Sequence, residues 1–271
     1  MAEVHVESWA AFLQAIQVSG DDVHCPNDAV WDMNDLEPDG HVGTISFACA
    51  NVYGHNTTIK NLKYDGRIEF NSNFVKMTDL HWENILANQG TYGSFFWRDG
   101  STSTVESLSR MELCRISGYF TKTNGGTIAP CFGFYCYRCG FNFEVAYCDA
   151  FQLPSVMEYC NLIGQAPNAS TISYHDVGWS MPFYHKFSNI VVVAPNATRD
   201  TTTTKAEACC FRGRKERLQS FYFAPSSTYP CLYCSTDMDA ITSPNGMTPV
   251  TEAQLRDASY LQSIGFPIAV D

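Results

Sequence analysis

Basic residues are scarce in this chain. Lys and Arg number 17 against 28 Asp and Glu, a formal net charge of −11 over 271 residues. Nucleic-acid binding needs clustered cations against phosphates, so this balance excludes it. One basic run, "FRGRKER" (Arg212, Arg214, Lys215, Arg217), reads as a solvated loop. An apolar run long enough to cross a bilayer is also missing, so no membrane insertion is expected. The opening "MAEVHVESWAAFLQAIQVSG" lacks the positive and continuous apolar regions of a signal peptide. The 12 cysteines are therefore expected to stay reduced in a cytoplasm. The sequons at Asn56, Asn168 and Asn196 then carry no weight.

Helical periodicity is nearly absent as well. "ESWAAFLQAIQVSG" is one exception, with Trp9, Phe12, Leu13 and Ile16 on one face, Ser8 as N-cap and Gly20 as stop. "TEAQLRDASYLQSIGFP" is the other, with a capping box at Thr251 and Gln254 and an end at Gly265 and Pro267. Between them, short β-rich runs alternate with Gly, Asn, Pro and Ser clusters. The organisation expected is a cap over residues 1–21, a β region over 22–240, and a linker and C-terminal helix over 241–271.

What is present is a local repeat. Six-residue windows starting at Ile59, Met77, Met111, Cys136, Met157, Phe187, Ala206 and Cys231 have apolar residues at positions one and four, and at six in all but the last. Cysteine fills position four in five of the eight: Cys114, Cys139, Cys160, Cys209 and Cys234. Glycine follows four windows at a fixed offset, as Gly66, Gly118, Gly164 and Gly213. The windows start 18 to 34 residues apart. A fixed local pattern at irregular spacing predicts an all-β, right-handed parallel β-helix whose insertions leave as loops. Apolar positions one and four share a face only if a bend consumes a residue between them. Asn61, Asp79 and Asn189 at position three suit the left-handed backbone of such a bend. Position four is then an interior ladder, where free cysteine serves as a small buried apolar side chain. The C-x-x-C pairs Cys136/Cys139 and Cys231/Cys234 also match half-sites for structural zinc, but no nearby His completes a ligand set. No catalytic, cofactor or metal residues are assigned.

The opening segment, followed by "ISFACANVYGHNTTIKNL" with its turn from Gly54 to Leu62, resembles the entry to many parallel β-helix proteins. The closing "QLRDASYLQSIGFPI" resembles the C-terminal helix and tail of β-helix proteins of bacteriophages and prophages. That resemblance implies a non-enzymatic virion structural protein: a tail spike, tail fibre or head decoration protein. It further implies synthesis in a host bacterial cytoplasm and contacts with other virion subunits, with a homo-oligomer (a trimer favoured) as the assembly. A polysaccharide lyase or glycoside hydrolase is the alternative. It would need paired carboxylates in a cleft, and only Asp21/Asp22 and Asp237/Asp239 stand out.

Two insertions are rich in aromatics that can stack on host surface glycans or pack against a neighbouring subunit. "NQGTYGSFFWRDGSTST" carries Tyr92, Phe95, Phe96 and Trp97, and "SYHDVGWSMPFYH" carries Trp179 and Tyr184. Covering the solenoid's own flank is the competing role. His175 and His185 are read as locally hydrogen-bonded. Leu255, Leu261 and Phe266 of the last helix either cap the open solenoid end or dock into a partner, with the cap preferred.

Overall fold

The computed structural model describes residues 2–70, 74–88, 94–98, 108–121, 127–146, 150–152, 156–167, 171–173, 184–193, 199–201, 205–207, 209–213, 231–235 and 248–266. The chain coils as a parallel β-solenoid. Strands Ile45–Phe47, Ile68–Phe70, Ser94–Arg98, Thr127–Phe132, Ala150–Gln152, Thr171–Ser173 and Arg199–Thr201 form one sheet, stacked in chain order. A larger sheet lines the other sides, and its pairings are parallel too. Val52, Met77, Met111, Cys136, Met157, His185 and Ala206 share one register column.

A corner follows that column. Asp79, Leu113, Arg138, Tyr159 and Phe187 take positive φ there, between 48° and 58°. The next residue turns inward, and backbone bonds run straight up the stack. Gly140, Asn161, Asn189, Cys210, Leu232 and Thr248 donate N–H to the carbonyls of Cys114, Cys139, Cys160, Ser188, Cys209 and Cys231, at 2.8 to 3.0 Å. Those six carbonyl residues are the ladder. Three windows of the sequence repeat are therefore displaced. The window at Phe187 starts two residues late, so Ser188 takes the ladder position, and Phe187, not Asn189, carries the positive φ. The last is displaced by three: Cys231 stacks on Cys209, while Cys234 pairs with Arg212. The window at Ile59 lies at a different corner, where Asn61 and Asn84 turn the chain (φ 61° and 53°). Apolar spacing alone cannot separate these registers, because inward residues recur on every side of the coil.

The interior is apolar and continuous. Phe47 and Phe70 stack 4.6 Å apart, Phe134 meets Phe70 edge-on, and Phe95, Phe96, Phe120 and Phe143 continue the series. Helix α1 (Trp9–Ala15) plugs the N-terminal end. Ser8 accepts from the Ala11 N–H, Trp9, Phe12 and Ile16 are buried, and the Phe12 ring meets Trp31 and Phe47. A short helix α2 (Met33–Leu36), which has too few residues to show periodicity, is capped by Asp32.

At the C-terminus the expected single helix is two, α3 (Glu252–Leu255) and α4 (Ala258–Ser263). The capping box forms, with Thr251 and Gln254 bonded reciprocally at 2.8 and 3.1 Å. Asp257 then starts α4 by accepting from the Tyr260 N–H, which breaks the run. Leu255, Leu261, Ile264 and Phe266 pack on Leu232 and Val250, a cluster separate from the interior that holds Cys209 and Cys231. Leu232 neighbours the inward Cys231, so it faces out. The helices thus cover an outer strip of the last coils and do not plug the bore as α1 does.

Candidate functional site

Beyond the ladder, the strands Lys76–Asn88, Arg115–Thr121, Gly140–Ala146 and Asn161–Gln165 lie side by side. Ile116, Phe141 and Leu162 point into the core, and the alternate residues face out. Three outward rows result. Arg115, Gly140 and Asn161 form the first, Ser117, Asn142 and Ile163 the second, and Tyr119, Glu144 and Gln165 the third.

Two backbone features hollow this face. Gly140 carries no side chain between Arg115 and Asn161, and a Cβ there would meet nothing nearer than the Arg115 Cγ at 3.9 Å. One strand over, Glu83 and Asn84 occupy the space of Ser117 alone. That bulge is held by the Asn84 N–H donating to the Ser117 hydroxyl at 3.1 Å, and it bends the sheet. Two adjoining hollows of about 240 and 340 Å³ result, sharing Ser117 and Asn142. Together they form a groove across four coils. Glu83, Arg115 and Ile163 mark one end, and Leu86, Tyr119, Glu144 and Gln165 the other.

The groove carries little net charge. Glu83 and Arg115 approach to 3.5 Å, an exposed pair of small energetic worth. Glu144 is exposed and, among the described residues, its side chain has no hydrogen-bond partner; the same holds for Asn142 and Gln165. His81 supports the groove wall from beneath. Its Nδ1 accepts from the Arg115 N–H at 3.1 Å, so Nε2 carries the proton toward Asn56 Oδ1 at 3.0 Å. Burial, with Arg115 nearby, lowers its pKa from the usual value of 6.5 and keeps the ring neutral.

Of the groove lining, Gly118 was singled out from the sequence, as a glycine of the repeat, and none of the outward polar residues was. The signal was faint: polar residues alternating with core residues after each bend, as any half-buried strand shows. Residues that were singled out go elsewhere. Phe95 and Phe96 are fully buried in the core, which corrects their reading as contacts for a partner or glycan. Ser94 is buried beside them, and Ser94–Arg98 is a strand of the sheet. Trp97 is half-buried beneath the Arg67 guanidinium, 3.7 Å from its ring centroid. Tyr92, Trp179, His175, Asp237 and Asp239 lie outside the described residues, as do the side chains of Tyr184, His185 and Cys234. Asp21 and Asp22 are engaged locally: Asp21 accepts from the Ala2 N–H and Asp22 from the Asn51 amide. Leu255, Leu261 and Phe266 contact their own chain, as described above.

The cysteines do more than fill space. Cys139 Sγ donates to the Met111 carbonyl one coil below at 3.3 Å and lies 3.4 Å from the Tyr137 carbonyl beside it. Cys114 and Cys160 repeat the pattern toward Met77 and Cys136, and Ser188 donates to Lys186 at 2.7 Å. The Tyr137 and Lys186 carbonyls also accept the N–H groups of Leu113 and Tyr159 from the neighbouring coil, so the short S–H or O–H is a second donor to each. The two C-x-x-C pairs do not converge: Cys139 and Cys231 are four strand spacings apart along the ladder, about 19 Å. Burial raises the thiol pKa of Cys136 and Cys139, and it pushes Cys25 and Cys49 up to about 12. Comparison with family models, characterised proteins and solved structures returns no match for this chain.

Proposed function

We propose that this chain is a non-enzymatic virion structural protein of bacteriophage type, exposed on the particle, whose solenoid holds a carbohydrate polymer along its outer face. The observation that carries the binding role is the groove from Glu83 to Gln165, where amides, a hydroxyl and exposed apolar groups line two adjoining hollows. The virion setting, as tail spike, fibre or decoration protein, rests on the resemblance of the two chain ends. Homo-oligomeric assembly, with a trimer favoured, belongs to the same proposal.

The reading is retention of the polymer rather than its cleavage. Incubating the purified chain with host surface polysaccharide tests this directly. Retention of the polymer without released oligosaccharide is expected, and the appearance of product would favour a lyase or hydrolase instead. Antibody against the chain should label intact phage particles, and absence of label would remove the virion setting.

A further inference from the structure

Resting on the binding role proposed for this groove, we infer that its ligand is an uncharged, amide- or hydroxyl-rich glycan and not an acidic polysaccharide. The charges decide it. Among the described residues, Arg115 is the one cation lining either hollow, and Glu83 faces it at 3.5 Å. The opposite end presents Glu144 with no cation beside it among the lining residues. A polyuronate or sulfated chain would lay its anions along that carboxylate, under the field of a protein of net charge −11. Like charges brought together at a partly desolvated contact are unfavourable, so the groove rejects such polymers.

What remains is chemistry suited to neutral sugars. Asn142 and Gln165 present primary amides, each a donor and an acceptor, and neither is committed to another described residue. Asn161 accepts from Asn189 at 2.6 Å through its oxygen and keeps its own N–H groups. Ile163 and Leu86, 37% and 48% exposed, give the apolar patches on which the C–H faces of pyranose rings rest. The coils repeat about every 4.8 Å, close to the length of one pyranose unit, so successive sugars lie over successive coils. Gly140 leaves the room for a ring between Arg115 and Asn161.

The test uses the whole chain in affinity electrophoresis or calorimetry against dextran, galactomannan and chitin oligosaccharides, with polygalacturonate and alginate as the acidic set. Retention by a neutral polymer, insensitive to added salt, is expected. N142A and Q165A each remove an exposed amide without touching the core, and each should weaken that binding by about tenfold. E144K should admit the acidic polymers. Binding confined to the acidic set overturns the inference and leaves the groove as a glycan site. Failure to bind any polymer, or binding that the groove variants do not alter, overturns the groove reading itself.

Discussion

Cys139 occupies a place where two demands meet: a side chain small enough for the stacked interior and a further donor for the carbonyls beside the bend. Cys139→Ser meets both and should stay within about 1 kcal/mol of the parent in denaturant unfolding. Cys139→Ala loses the donor and opens a small void, with about 1–3 kcal/mol expected. Cys139→Leu overpacks the column at a comparable cost. Equal effects of Ser and Ala would show that the hydrogen bond is idle. His81 makes the second residue-scale prediction. Its folded pKa is depressed, so the unfolded chain takes up the proton first as pH falls. Its contribution is fully present above pH 6.5 and is lost as pH drops below that value. Asp79 Oδ1 at 3.4 Å, Glu83 and Arg115 face the ring and set the size of the effect. His81→Gln should flatten unfolding free energy between pH 7 and 5, and an unchanged slope would assign the acid sensitivity elsewhere.

The two ends of the solenoid are closed by different means. Helix α1 inserts Phe12 into the bore, where it is fully buried. Phe12→Ala should therefore cost about 3–5 kcal/mol. Helices α3 and α4 lie against the outer side of Leu232, with no residue of α4 buried. Deleting residues 251–271 should leave the β-sheet circular dichroism intact while lowering the unfolding midpoint. New apolar dye binding at the exposed Leu232 and Val250 should accompany it. Complete loss of the β signal would instead make this segment essential to the solenoid. The last described strand ends in Pro249, which has no N–H to offer an added strand, so that strand is blunted without the helices.

At the scale of the molecule, burial governs the thiols. Of the ten free cysteines described, Cys210 alone is half-buried and the others are buried. Alkylation of the native chain followed by peptide mass spectrometry should leave Cys25, Cys49, Cys114, Cys136, Cys139 and Cys160 unmodified until the protein is unfolded. Labelling of any of these under native conditions would contradict the stacked interior. Cys25 and Cys49 also predict alkaline sensitivity. Their folded pKa near 12 exceeds the ordinary 9.0, so their contribution is complete below pH 9 and is lost as pH rises toward 12.

Local chemistry was legible where one residue type answers one local demand. Ser8 and Thr251 cap helices, Asn61 and Asp79 adopt the left-handed bend, and Cys114, Cys139 and Cys160 form the ladder. The coiling followed from these, because a bend between inward residues that recurs along the chain can be satisfied only by stacking. Register was not legible at Ser188 or Cys231, since a serine and a displaced C-x-x-C fit two alignments equally well. Nor was the destination of Phe95 and Phe96, because an aromatic cluster beside glycines reads alike for an exposed loop and a buried strand. The groove is the clearest case. Ser117, Asn142 and Gln165 are ordinary outward residues of three separate strands, and their sequence neighbours do not mark them. Only the parallel register, the bulge at Glu83 and Asn84 and the missing side chain at Gly140 bring them to one hollow. Capping, bending and burial depend on groups a few residues apart, whereas a surface shared by four coils depends on distances that exist only once the chain has wound.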